Sequence, residues 1–269
     1  MMKKYHILIE TALIGQGIAD LTGEDLLQIW KDYSARVSGS AGFVWLWQGN
    51  MMVDCLESLL EYRSQKNLPR IDSRIITEPN RTPGSGFCTA GAVLALANEC
   101  QSELVVTAGM GGAFSGKVSS DLPEICKGQA VLIASGFKDM IEAQNSLAYL
   151  HKRNILIAGF SKPYYDGFLF QKDRYPLDRL YTGESISKLR EDNCFLLFND
   201  LETGLRLKNS NWLKDSIEAG KSAENVGGEF HPAVSRELAR FSKSNSSRLQ
   251  FEALLQNIVL AIKILEKGK

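Results

Sequence analysis

Neither sign of charge is in excess: 31 basic residues balance 31 acidic ones, which excludes a broad electrostatic pull toward nucleic acid or an anionic membrane. A phosphate, if bound, must be met locally. Cysteine is sparse, and the five present (Cys55, Cys88, Cys100, Cys126, Cys194) show no C-x-x-C spacing, which excludes a structural zinc or dithiol site. They read as free thiols in a reducing compartment. Histidine is rarer still, with His6, His151 and His231 far apart and without ligand spacing. No apolar run approaches the roughly 18 residues of a membrane span. Behind Lys3 and Lys4, the apolar run at 5–9 is cut by Glu10, too soon for a signal-peptide core. These absences predict a soluble, cytoplasmic protein.

Short runs rich in β-branched residues alternate with longer amphipathic stretches, which is the pattern of βα units feeding a parallel sheet. The spacing predicts strands at 5–9, 43–47, 73–76, 104–107, 130–134, 155–158 and 195–198, and helices at 24–37, 55–64, 89–99 and 139–150. Phe251, Leu254, Leu255, Ile258, Val259, Ile262 and Leu265 recur at helical spacing, so a last long helix with one buried stripe is expected. Stretches at 79–86, 109–116 and 242–247 punctuate this pattern without forming a linker. The expected architecture is α/β, one α/β/α domain over 1–269 with a largely parallel sheet flanked by helices. Trp45 and Trp47 alternate along a strand with Val44 and Leu46, which favours core or oligomer packing over base stacking.

Three segments could carry chemistry. The apolar run at 104–106 ends in a loop holding Gly109, Gly111, Gly112 and Gly116. Glycines there allow close backbone approach, at the strand end where open α/β sheets place ligands. A flexible turn explains them nearly as well. Ser119, Ser120 and Asp121 follow with the look of a helix start, suited to a phosphate or sugar hydroxyls, or to simple capping. The spacing is not that of a dinucleotide site. Lys138 stands just beyond the apolar run at 130–134. If desolvated, its amine loses its proton more readily and attacks a carbonyl; the plainer alternative is a surface lysine. Glu10 closes the first strand, placed to relay a proton if the strands run parallel, and otherwise a loop carboxylate.

Taken in order, these segments resemble the pseudouridine-5′-phosphate glycosidases, also called pseudouridylate synthases. Residues 8–14 with Gly17 are similar to that family's L-E-S-T-I-I-x-H-G, residues 70–74 to K-V-S-R-R, and residues 107–112 to A-T-G-G-I-G-G. Residues 118–124 match I-S-A-D-L-x-E, residues 135–138 match A-G-x-K, and Asn257 sits where the family ends a pair of asparagines. The resemblance implies a reversible C-glycoside cleavage: the ribose ring opens, a lysine bonds C1′ as an imine, and the carbon–carbon bond to the base breaks. It implies Lys138 as nucleophile and Glu10 as proton donor. Arg70, Ala90, Ser119, Ser120 and Asp121 fall on substrate-binding positions. Ribose 5-phosphate, a nucleobase or a C-nucleotide is the implied small-molecule partner, and a homotrimer the implied assembly.

The chain departs from that pattern in its shortened glycine loop, which lacks the family's histidine and arginine. The acidic ligand of the family's manganese ion becomes Lys117, an ammonium without a lone pair to give, so the resemblance carries no metal site over. Lys117 either supplies the ion's positive charge beside the substrate or faces solvent. A site asparagine becomes Gln250, and the early H-G becomes Gln16-Gly17. These changes point to pseudouridine 5′-phosphate or a C-nucleotide with a different base. Two other readings share some of these residues: another imine-forming sugar-phosphate lyase, and a catalytically impaired homologue that binds a nucleotide or a sugar phosphate.

Overall fold

The computed structural model describes residues 5–37, 39–65, 68–78 and 84–267. Lys3, Lys4 and positions 79–83 of the stretch at 79–86 lie outside them. The main sheet contains β1 (Ile7–Ile9), β2 (Ala41–Trp47), β3 (Asn50–Asp54), β4 (Arg70–Ile71), β5 (Gly86–Cys88), β6 (Leu104–Val106), β7 (Val131–Ala134), β8 (Leu156–Gly159), β9 (Arg179–Leu180) and β10 (Cys194–Phe198). Their spatial order is β9-β8-β10-β7-β6-β1-β2-β5-β4, with β3 paired to β2. Pairing is parallel from β9 through to β2, and antiparallel where β2 meets β3 and β5. The expected α/β class with a mostly parallel sheet is therefore present.

The central strands are apolar on both faces because helices cover both. β1, β6, β7 and β10 are wholly buried, and each fully buried Leu or Ile side chain contributes about 1.5–3 kcal/mol. The helices are α1 (Gly23–Ser34), α2 (Leu56–Arg63), α3 (Ser73–Thr77), α4 (Ala90–Leu96), α5 (Asp121–Cys126), α6 (Ala143–His151), α7 (Ile186–Glu191), α8 (Ser210–Asn225), α9 (Phe230–Ser242) and α10 (Asn245–Lys267). None of the described helices is long and apolar enough to cross a membrane.

Three expectations need correction. The segment 73–76 is not a strand but helix α3: the Asp72 carboxylate accepts the backbone N–H of Arg74 at 2.9 Å, and this cap overrides the β-branched pair Ile75-Ile76. The helix expected from Asp139 begins only at Ala143, because the Asp139 carboxylate instead holds the N–H groups of Leu169 and Phe170 at 3.1 and 3.0 Å. The last helix, α10, is buried nearly all round rather than along one stripe, since it packs on β1, β6 and β7 as well as on α1 and α9.

Register places the chemistry. Ile9, Val106 and Ile133 stand side by side across β1, β6 and β7, so Glu10, Thr107 and the residues after Ala134 emerge at one carboxyl edge. Beyond the sheet a short parallel ribbon pairs Gly109 with Gly136 and Met110 with Phe137. That ribbon brings Lys138 level with the glycine loop, and its N–H donates to the Met110 carbonyl at 2.9 Å.

Candidate active site

A narrow cleft at this carboxyl edge is lined by Glu10, Arg70, Thr89, Ala90, Thr107, Ser119, Asp121, Lys138 and His231, among others. It adjoins a wider basin of about 770 Å³, which shares Arg70, Thr89, Ser119, Asp121 and His231 with it. The sequence-predicted pair, Glu10 and Lys138, thus lies on one cleft.

Glu10 is 4 % exposed. Its Oε2 accepts the Leu13 N–H at 3.1 Å, and its Oε1 accepts the Thr107 hydroxyl at 3.1 Å. The Leu13 donor belongs to the π-helical turn Leu13–Gly17. That turn is fastened by Thr11, whose hydroxyl donates to the Val44 carbonyl at 2.6 Å and accepts the Cys88 N–H at 3.0 Å. Burial pushes the Glu10 carboxyl above its usual range, with the Lys138 charge acting against it. Lys138 is half-buried along the cleft wall. Desolvation first, and the Arg70 guanidinium second, hold its amine below the ordinary lysine range, while Glu10 and Asp121 oppose them.

Asp121 ties the cleft together. Its Oδ2 accepts the Gly111 N–H at 2.7 Å and its Oδ1 the Gly91 N–H at 2.8 Å, joining the glycine loop to the start of α4. Gly111 is required at that approach, because a Cβ there would collide with the Ser119 side chain and stand 3.1 Å from Asp121 Oδ2. Ala90 begins α4 under a cap from Thr89, whose hydroxyl accepts the Ala92 N–H at 3.3 Å. Ser120, at the start of α5, makes no capping bond through its side chain. Ser119 and Ser120 both face the basin.

Arg70, on β4, reaches cleft and basin alike. Lys117 stands at the basin rim, its side chain 78 % exposed and paired with Glu224 of α8 at 3.0 Å. Gln250 does not share the cleft; it lines a separate small cavity behind Lys138 with Met140, Phe168 and Leu238. Trp45 is buried and stacks on Tyr62 with ring centroids 5.5 Å apart, away from the cleft.

Position 117 carries an ammonium, and among the described residues no three of His, Cys, Asp and Glu converge as ligands.

Sequence reasoning missed several residues here. Thr107 directly follows β6 beside the glycines, a position that could have flagged it. Lys221, Glu224, Glu229 and Phe230 reach the basin from α8, α9 and the turn between them, and that polar region carries no motif. Phe230 stacks on Phe114 with centroids 4.9 Å apart, making an aromatic basin wall. His231 lines both spaces; burial, then Lys138 and Arg70, push its imidazole down to about 3.

Comparison with known proteins gives the same frame. The family model described as indigoidine synthase A like protein matches residues 10–267. A pseudouridine-5′-phosphate glycosidase of Thermotoga petrophila is 22 % identical over 272 residues, covering 97 % of this chain and 94 % of that protein. One from Legionella pneumophila is 21 % identical over 232 residues, covering 81 % and 75 %. Among solved structures, an indigoidine synthase A-like protein from Thermotoga maritima superposes with a TM-score of 0.81 at 20 % identity, covering 99 % of this chain and 95 % of that one. The prealnumycin C-glycosynthase AlnA, in complex with ribulose 5-phosphate, superposes with a TM-score of 0.78 at 18 % identity, covering 99 % and 92 %. At these identities the structures establish a shared fold.

Proposed function

The chain belongs to the indigoidine synthase A-like family, and from that premise we propose that it cleaves, and in reverse forms, the C1′–carbon bond of a C-nucleoside 5′-phosphate. The products are ribose 5-phosphate and a free base, either uracil or a related ring. The observation that carries this reading is the shared cleft of Glu10 and Lys138, in which burial favours a protonated carboxyl and an uncharged amine. The names of the glycosidase relatives and of the C-glycosynthase neighbour support the same reaction class.

In the cleavage direction the Lys138 amine bonds C1′ as the bond from C1′ to the ring oxygen breaks, and that oxygen takes the Glu10 proton. The bonded nitrogen then gives a proton to the Glu10 carboxylate, which passes it to the base carbon, and the freed nitrogen lone pair forms an imine as the bond from C1′ to the base breaks. Water adds to the imine and frees ribose 5-phosphate and the amine. Arg70 is suited to the phosphate by charge and fork geometry, and Ala90, Ser119, Ser120 and Asp121 to enclosing the sugar. Lys117 and Gln250 act further out, at the basin rim and behind the nucleophile. The base leaves toward the basin wall of Phe114 and Phe230. Five free thiols suit work in the cytoplasm, and the family resemblance suggests a homotrimer.

Incubation with pseudouridine 5′-phosphate, followed by chromatography with ultraviolet detection, tests the reading. Release of uracil, or of another free base from a panel of C-nucleotides, is the expected result. No base released from any of them, by protein shown to be folded, contradicts it.

A further inference from the structure

The buried acceptors of the cleft are largely used up by the protein itself. Both carboxylate oxygens of Glu10 accept hydrogen bonds, from Leu13 N–H and the Thr107 hydroxyl. Both oxygens of Asp121 accept backbone N–H groups, from Gly91 and Gly111. The Thr89 hydroxyl serves the α4 cap. Against this, Nδ1 of His231 is enclosed and has no hydrogen-bond partner among the described residues, although the residue lines both the cleft that holds Lys138 and the basin beyond it. An enclosed ring nitrogen without a partner costs about 1–3 kcal/mol, which a ligand can recover by supplying one.

The ring cannot readily serve as a cation there. Lys138 and Arg70 both oppose a further positive charge, and burial adds to them. A neutral imidazole keeps one lone pair, and beside the N–H donors of the Lys138 amine and the Arg70 guanidinium that lone pair is the useful half. It suits a hydroxyl, and the ligand of the proposed reaction is a chain of hydroxyls.

We propose that His231 is a substrate-contacting residue whose Nδ1 accepts a hydrogen bond from a hydroxyl of the pentose phosphate held between Lys138 and Arg70. This rests on the reading of the cleft as a pentose phosphate site and adds the residue that recognises a sugar hydroxyl. The contact tells a hydroxylated pentose from its deoxy counterpart, because a deoxy sugar leaves the enclosed nitrogen unsatisfied.

The test is equilibrium binding of ribose 5-phosphate and of its 2-deoxy and 3-deoxy analogues to the full chain, as wild type, His231→Asn and His231→Phe. Asparagine can place an acceptor near the position of Nδ1; phenylalanine fills the space without one. Wild type should bind one deoxy analogue about 10- to 100-fold more weakly than ribose 5-phosphate. H231N should stay within about threefold of wild type, and H231F should lose affinity for ribose 5-phosphate about 10- to 100-fold and no longer distinguish the analogues. A folded H231F that binds ribose 5-phosphate like wild type overturns the proposal. Should H231F fail to fold, wild type decides alone: equal binding of all three sugars overturns it. Wild type that binds none of them brings down the reading of the cleft itself, and this proposal with it.

Discussion

Glu10 and Lys138 face one cleft, and burial drives their ionisations toward each other, the carboxyl upward and the amine downward. An exposed glutamate and lysine at neutral pH would both be charged and chemically quiet. Here the same two side chains are biased toward a proton donor and a nucleophile, at the expense of stability.

Replacing Lys138 with methionine should therefore stabilise the protein. Its folded-state pKa lies below the unfolded value, so between the two the unfolded chain holds more protons and wild-type stability rises with pH. The stability tied to this group is present above the ordinary lysine value and lost as pH falls through the depressed one. K138M should melt a few degrees higher than wild type at neutral pH, with the gap closing toward pH 10.5, the ordinary value. Thermal unfolding followed by circular dichroism across that range measures it.

Glu10→Gln should spare the amine and remove the proton. Turnover should fall by about 10²- to 10⁴-fold, the usual span for loss of a general acid. In wild type, whose carboxyl stays protonated above its usual range, the rate should decline as pH rises through the raised value. That limb should be missing from the E10Q profile, as steady-state assays on both proteins would show.

Asp121→Asn keeps the shape of the side chain but turns one acceptor into a donor that faces a backbone N–H. One of the bonds to Gly91 and Gly111, at 2.8 and 2.7 Å, must be lost. A cost of about 1–3 kcal/mol is expected from leaving a buried group unsatisfied. Urea unfolding gives that number, and turnover should fall with it as the glycine loop loosens.

Chelation should leave the activity untouched. Lys117 is paired with Glu224 on the surface rather than with a ligand set, so excess EDTA, and manganese added back, should each leave turnover unchanged. Lys117→Ala should leave the melting temperature as it is, because a pair this exposed contributes little.

The parallel core was legible because β1, β6, β7 and β10 are short apolar runs between amphipathic segments, as strands covered by helices on both faces are. The strand β3 escaped notice although Gln48 and Gly49, with φ of 50° and 80°, make the tight two-residue turn that pairs it with β2. The helix α3 was hidden because Ile75 and Ile76 favour strands, whereas the cap from Asp72 is decided by three-dimensional placement. In the cleft, Glu10 directly follows β1 and Lys138 stands just beyond β7, places where a polar side chain draws notice, but only the family resemblance gave each a role. Asn257 could be aligned but not understood: it holds the Thr107 carbonyl at 2.7 Å and the Ser135 hydroxyl at 3.0 Å, and receives the Asn199 amide at 2.9 Å, fastening three strand ends. No local pattern reveals such a bond 150 residues away in the chain, and the place of His231 in the cleft was hidden for the same reason.

The most direct measurement is reductive trapping. The protein is incubated with ribose 5-phosphate, reduced with borohydride, digested and mapped by mass spectrometry. One pentose phosphate adduct on the peptide that carries Lys138, absent from K138M, is the predicted result. An adduct on some other lysine, or none with any pentose phosphate offered to folded protein, contradicts the account.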